Sequence, residues 1–145
     1  MARVAGQPMA GLVLLLDLAR SVLVYLAALR FCAPDAVSWA GFALILGNRF
    51  PLYHGFRGGK GVAAYLGFVG AAQPWFALLA CGAWLACYLP IRIPALASMA
   101  MLLILVEAAL HALPTTIVSV SGTVLTAALI VVGHRSNWVA WLGRK

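Results

Sequence analysis

The chain has 145 residues, of which 65% are hydrophobic and only 9% charged, with a mean hydropathy of +1.03. Soluble domains carry roughly 25% charged residues, so a water-soluble globular protein is excluded and one polytopic membrane domain over residues 1–145 remains, with no length left for a second unit. In that setting the net charge of +7 points to membrane topology and to anionic head groups or substrates, and away from nucleic acid.

Residues 1–8 form a short polar start that contains Arg3. Residues 9–29 are long enough to span, with Asp17 and Arg20 one helical turn apart. Those charges interrupt the apolar run and no small-residue cleavage site follows cleanly, so it reads as a retained helix rather than a signal peptide. After a turn at 30–35 containing Pro34, residues 36–47 are apolar but short. As a helix they reach about 18 Å against a hydrocarbon core of ~30 Å. A glycine-rich loop over 47–61 follows, and then a second short segment, 62–72, which Gln73 and Pro74 break. Residues 75–89 come next, then a turn between Pro90 and Pro94 that holds Arg92. Residues 95–113 make a full span carrying Glu107 and His111, ended by Pro114; 115–133 make the last. The tail 134–145 is basic and holds Trp138 and Trp141, interfacial anchors by residue type.

The expected fold is therefore all-α, a helix bundle of about six spanning or partly spanning segments with both termini on the same side. Arg3, Arg49, Arg57, Lys60, Arg92, Arg135, Arg144 and Lys145 fall on that side, Arg30 alone on the other, and Arg20 inside a span. Basic residues concentrate on the cytoplasmic side, which puts both termini and the glycine-rich loop there. The two short segments either cross singly or form a re-entrant pair that holds the loop below the surface. Irregular backbone at that depth is tolerated only where it is buried in protein or lines a cavity. Cys32, Cys81 and Cys87 lie in apolar surroundings with no CxxC and no His at ligand spacing; they read as small buried hydrophobes. No metal site and no cofactor is indicated.

The loop carries the chemistry. Glycines let backbone N–H groups converge on an anion, and Arg49, Arg57 and Lys60 add full positive charges, so a phosphate-bearing ligand is expected. It is no nucleotide P-loop: only three residues separate Gly55 from Gly59-Lys60, no Ser or Thr follows the Lys, and no strand precedes it. The plainer alternative is a glycine-rich turn carrying topology-setting cations, with His54 a loop residue.

The wording of this loop, Gly47, Phe50-Pro51, Tyr53 and Phe56-Arg57-Gly58-Gly59-Lys60-Gly61-Val62-Ala63, resembles the second motif of the PlsY-type family. These are the bacterial acyl-phosphate:glycerol-3-phosphate acyltransferases; Asn48 stands where the family has His. Asp17-Leu18-Ala19-Arg20-Ser21 resembles the family's D-x-x-K-G, with Arg20 for Lys. Arg92 with Leu96-Ala97-Ser98 resembles R-Y-x-S-L-A-S, and His134-Arg135-Ser136-Asn137 resembles H-R-E-N. The family's first motif, S-G-N-x-G-A-x-N-x-x-R, precedes the helix bearing Asp17. Arg3 falls at its last position, and the chain is expected to be either a shortened relative or one whose start lies upstream.

The resemblance implies transfer of a fatty acyl group from acyl phosphate to the 1-hydroxyl of glycerol 3-phosphate, giving lysophosphatidic acid at the cytoplasmic face of the bacterial inner membrane. It assigns Gly58, Gly59, Lys60, Gly61 and Arg57 to one phosphate, and Arg3 and Arg92 to the second. His134 and Asn137 orient the glycerol hydroxyl, and Asn48 and Ser98 are candidate substrate contacts. The apolar helices hold the acyl chain, and the partners expected are membrane lipids and lipid-synthesis enzymes. A non-catalytic relative that binds acyl phosphate or anionic lipid is the alternative; a small transporter built on Asp17/Arg20 and Glu107/His111 is a third reading. Both pairs also read simply as structural ion pairs, and His134 as an interfacial residue ending a helix.

Overall fold

The computed structural model describes residues 2–51 and 58–143, the side chains of 2–10, 138 and 140–142 excepted. All regular structure among them is helical: α1 (Ala2–Phe31), a 3-10 turn (Pro34–Ala36), α2 (Val37–Arg49), α3 (Val62–Ala72), α4 (Pro74–Ile91), α5 (Pro94–Ala112), α6 (Ile117–Gly133) and α7 (Arg135–Leu142). Four stretches are long and apolar enough to cross a bilayer: Gly11–Phe31, Pro74–Ile91, Pro94–Ala112 and Ile117–Asn137. The 13 residues of α2 and the 11 of α3 fall short of that length.

Three boundaries differ from expectation. α1 begins at Ala2 and runs through Pro8, which lacks the N–H that would bond the carbonyl four residues back. α4 continues through Pro90 and stops only at Arg92, which takes the left-handed conformation (φ 57°). Much of the tail is a helix, α7. The cysteines differ as well: Cys32 is exposed just beyond α1, and Cys81 and Cys87 are half-buried.

The helices are apolar on every face, so no hydrophobic stripe selects which side packs inward. Lipid tails are as apolar as leucine, and close van der Waals fit has to decide. α1 packs chiefly on α3, α4 on α5 and α2 on α6. Gly67 of α3 lies so close to α1 that a side-chain carbon there would come 2.9 Å from the Leu18 carbonyl oxygen. The next residue, Phe68, meets Tyr25 edge-on with ring centroids 5.2 Å apart. A side-chain carbon at Gly122 of α6 would come 2.5 Å from Ser38 Oγ of α2. Beside it the Trp39 indole N–H donates to the Val118 carbonyl at 3.0 Å. Buried hydroxyls bond their own helices, as Ser21 does to the Asp17 carbonyl (2.6 Å) and Thr126 to that of Gly122 (2.7 Å).

These contacts set direction. α2 starts where α1 ends, and α3 runs parallel to α1, so the α2–α3 pair enters and leaves from one end of the bundle. The turn that joins them starts at the end of α2 beside Arg20, about 17 Å from the far end of α1 at 1.5 Å per residue.

Candidate anion-binding site

The last turn of α2, the first turn of α3 and the end of α6 meet at this turn. The final carbonyls of an α-helix lack intrahelical partners, and here the returning chain supplies them. Gly58 N–H donates to the Arg49 carbonyl and Gly59 N–H to that of Asn48, both at 3.1 Å. A side chain at Gly58 would collide with the Asn48 carbonyl oxygen, which is why glycine stands there. Gly58 and Gly59 were expected to offer N–H groups to a phosphate; those groups are committed to α2, and the two residues instead shape the loop.

The donors that remain lie further on. Gly61 caps α3 with φ 88°, and a side-chain carbon there would come 2.8 Å from Ile45 Cγ2 and 3.5 Å from Ile130 Cγ1. Among the described residues no side chain caps α3, and the N–H groups of Val62, Ala63 and Ala64 have no intrahelical carbonyl to reach. The positive end of an 11-residue helix therefore lies beside Lys60. Lys60 is partly buried. That burial first, and then the Arg49 charge, hold its ammonium below the ordinary lysine value.

His134 closes the third side. It caps α6, is only 2% exposed, and its Nδ1 lies 2.9 Å from the Ile130 carbonyl oxygen. A carbonyl only accepts, so Nδ1 carries the proton and Nε2 of the neutral ring is left with its lone pair. The preceding residue binds this corner to the loop: a side-chain carbon at Gly133 would come 3.6 Å from the Lys60 carbonyl oxygen and 3.8 Å from Arg49 Nε. Half-buried Asn137 follows one turn later, its N–H donating to the His134 carbonyl at 2.9 Å.

On the opposite flank Arg20 Nη2 is 3.2 Å from Asp17 Oδ1 and donates to Asn48 Oδ1 at 3.1 Å. Lys60, Gly61 and His134 are thus brought together with Arg49, and with Gly133 and Arg20, which sequence reasoning had not placed in the site. No local spacing joins Arg20 to Asn48. Arg92 stands apart: its Nε donates to the Leu89 carbonyl at 3.0 Å, and it lies about 12 Å beyond Trp84 along α4. Ser98 accepts from the Trp84 indole N–H at 3.4 Å and lines a cavity of about 390 Å³ with Leu14, Val62, Leu66, Cys81 and Met101. Arg57, with Tyr53 and His54, lies outside the described residues, as do the side chains of Arg3, Trp138 and Trp141.

The family model described as Glycerol-3-phosphate acyltransferase matches residues 1–143. The chain is 38% identical over 139 residues to a glycerol-3-phosphate acyltransferase of Pseudomonas paraeruginosa, covering 94% of this chain and 71% of that protein. It is 39% identical, with the same coverage, to that of Pseudomonas putida. Among solved structures it superposes on PlsY (YgiH), an integral membrane glycerol 3-phosphate acyltransferase, in the glycerol 3-phosphate form. The TM-score is 0.84 at 30% identity, covering 98% of this chain and 72% of that one. The lysophosphatidic acid form of that protein gives 0.83. On the family match along nearly its whole length and on this shared fold, the chain belongs to the glycerol-3-phosphate acyltransferase family.

Proposed function

We propose that this chain transfers a fatty acyl group from acyl phosphate to the 1-hydroxyl of glycerol 3-phosphate, releasing phosphate and forming lysophosphatidic acid. The observation that carries this reading is the convergence of Lys60, the start of α3 and the buried His134 on one corner of the bundle. An acyl phosphate is a mixed anhydride with a good leaving group, so positioning and charge neutralisation supply much of what the reaction needs. Lys60, Arg49 and the first N–H groups of α3 neutralise the leaving phosphate, and Arg57 adds its charge to the same task. Arg3 and Arg92 serve the second phosphate. The hydroxyl oxygen attacks the acyl carbon, the bond to the phosphate oxygen breaks, and phosphate departs with the electron pair and takes up the proton the hydroxyl loses. His134 Nε2 accepts a hydrogen bond from the attacking hydroxyl, and Asn137 assists. The partner of Nδ1 is a carbonyl rather than a carboxylate, which suits orientation better than general-base work.

The apolar cavity beside Val62 supports a place for the acyl chain next to the phosphate corner. The excess of basic residues at this end supports a cytoplasmic orientation for the loop and both termini, in a bacterial inner membrane. The glycerol 3-phosphate and lysophosphatidic acid forms of the similar solved protein agree with these ligands. The test is acyl transfer from acyl phosphate to labelled glycerol 3-phosphate by membranes carrying this chain, with Lys60→Ala in parallel. Product from the unmodified chain that the substitution abolishes supports the reading. A folded chain that binds acyl phosphate but forms no product overturns it in favour of a non-catalytic binder.

A further inference from the structure

Arg20 is a cation in the interior of a spanning stretch, and such groups face protein or water and find partners. Asp17 neutralises it within α1, which would complete a purely local pair. The same Nη2, however, also donates to Asn48 Oδ1 at 3.1 Å, 28 residues away on α2. Asn48 is a junction. Its side chain takes the Arg20 bond, while its backbone carbonyl takes the Gly59 N–H at 3.1 Å. The neighbouring Arg49 carbonyl takes the Gly58 N–H. Asn48 Nδ2 would lie 3.1 Å from a side-chain carbon at Gly59, so the amide lies directly against the loop. Arg20 also brings positive charge to the C-terminal turn of α2, where the helix dipole favours it.

From this connection we propose that Asp17, Arg20 and Asn48 form a positioning clamp that holds the Gly58–Gly59–Lys60 loop closed on α2 and so sets Lys60 at the start of α3. The clamp touches no reacting atom; it acts through Asn48. Asp17 orients the guanidinium, and the guanidinium fixes the amide. The amide keeps the last turn of α2 in the register that receives the two glycine N–H groups. Its consequence for catalysis rests on the acyltransferase reading, whereas its effect on the loop does not.

Native-state hydrogen exchange of the full chain in lipid nanodiscs separates the two. Arg20→Met and Asn48→Leu should each speed exchange of the Gly58 and Gly59 amides by about tenfold or more, as expected for losing a hydrogen bond to a charged group. The Tyr65 and Phe68 amides in the core should keep their protection, which shows that the bundle is folded. The double variant should exchange no faster than the more affected single one, because both changes break one connection. Arg20→Lys, which keeps a donor and the charge, should restore most of the protection. Unchanged glycine exchange in both single variants, or additive effects in the double, overturns the clamp. In acyl transfer, Arg20→Met should raise the KM for a phosphate substrate more than it lowers kcat, and Arg20→Lys should recover it. A folded wild-type chain that transfers nothing removes the acyltransferase reading and leaves the exchange result to decide the clamp.

Discussion

Two side-chain pairs in this bundle arise from the same helical arithmetic and have opposite fates. Asp17 and Arg20 on α1 are separated by 3.2 Å, and Glu107 and His111 on α5 by 3.0 Å. The shorter pair is the less connected. Its side chains are 62% and 63% exposed and bond each other, with Phe76 as the aromatic neighbour of His111, ring centroids 6.1 Å apart. The longer pair is partly enclosed and continues through Asn48 into the loop that holds Lys60. Spacing along a helix makes a pair. What a neighbouring helix places against it decides whether the pair does more than neutralise charge.

The contrast can be broken most severely where the α1 pair leads. Lys60→Ala should lower acyl transfer by about a hundredfold or more, the scale of losing a positioned charge at the reacting group, with the bundle still folded by circular dichroism. Gly58→Ala should come next. The new methyl cannot share space with the Asn48 carbonyl, so the loop must open, and transfer should fall about tenfold while the core keeps its exchange protection. A Gly58→Ala chain with full activity would show that closure of the loop on α2 is dispensable.

A subtler test uses pH. Lys60 is held below the ordinary lysine value by burial and by Arg49, so it binds its proton less readily and loses its charge at a lower pH than a free lysine, near ~10.4. As pH rises, kcat/KM should decline from below that point, and Lys60→Arg should move the decline upward because a guanidinium does not deprotonate. The smallest effect belongs to the other pair. Glu107→Gln should leave transfer within about twofold; a large loss there would give the α5 pair a part in the reaction and erase the contrast.

Much of the site was legible before any coordinates. The Gly-rich run, the cations within it and the His134–Asn137 stretch stand out because turn chemistry and charge are local properties. The use made of each glycine was not legible. Gly58 and Gly59 look alike in sequence to any anion-cradling pair, yet their N–H groups go to the carbonyls of Asn48 and Arg49, a choice made only when the chain returns to α2. Arg49 was read as one of the cations of the loop, but its place against Gly133 depends on α6 lying alongside α2.

Hydropathy and length alone determined the all-helical membrane class, the segment order and the two segments too short to span, because each follows from how much apolar chain lies between breakers. The motif wording identified the family, and helical spacing identified both side-chain pairs. Tertiary structure alone decided that α3 returns alongside α1, that the end of α6 seats against Lys60, and that Arg20 reaches Asn48. The reason is physical: helices apolar on every face carry no stripe that says which side packs. In lipid the choice falls to close contacts such as Gly67 on Leu18 and Gly122 on Ser38, which exist only once the helices have met.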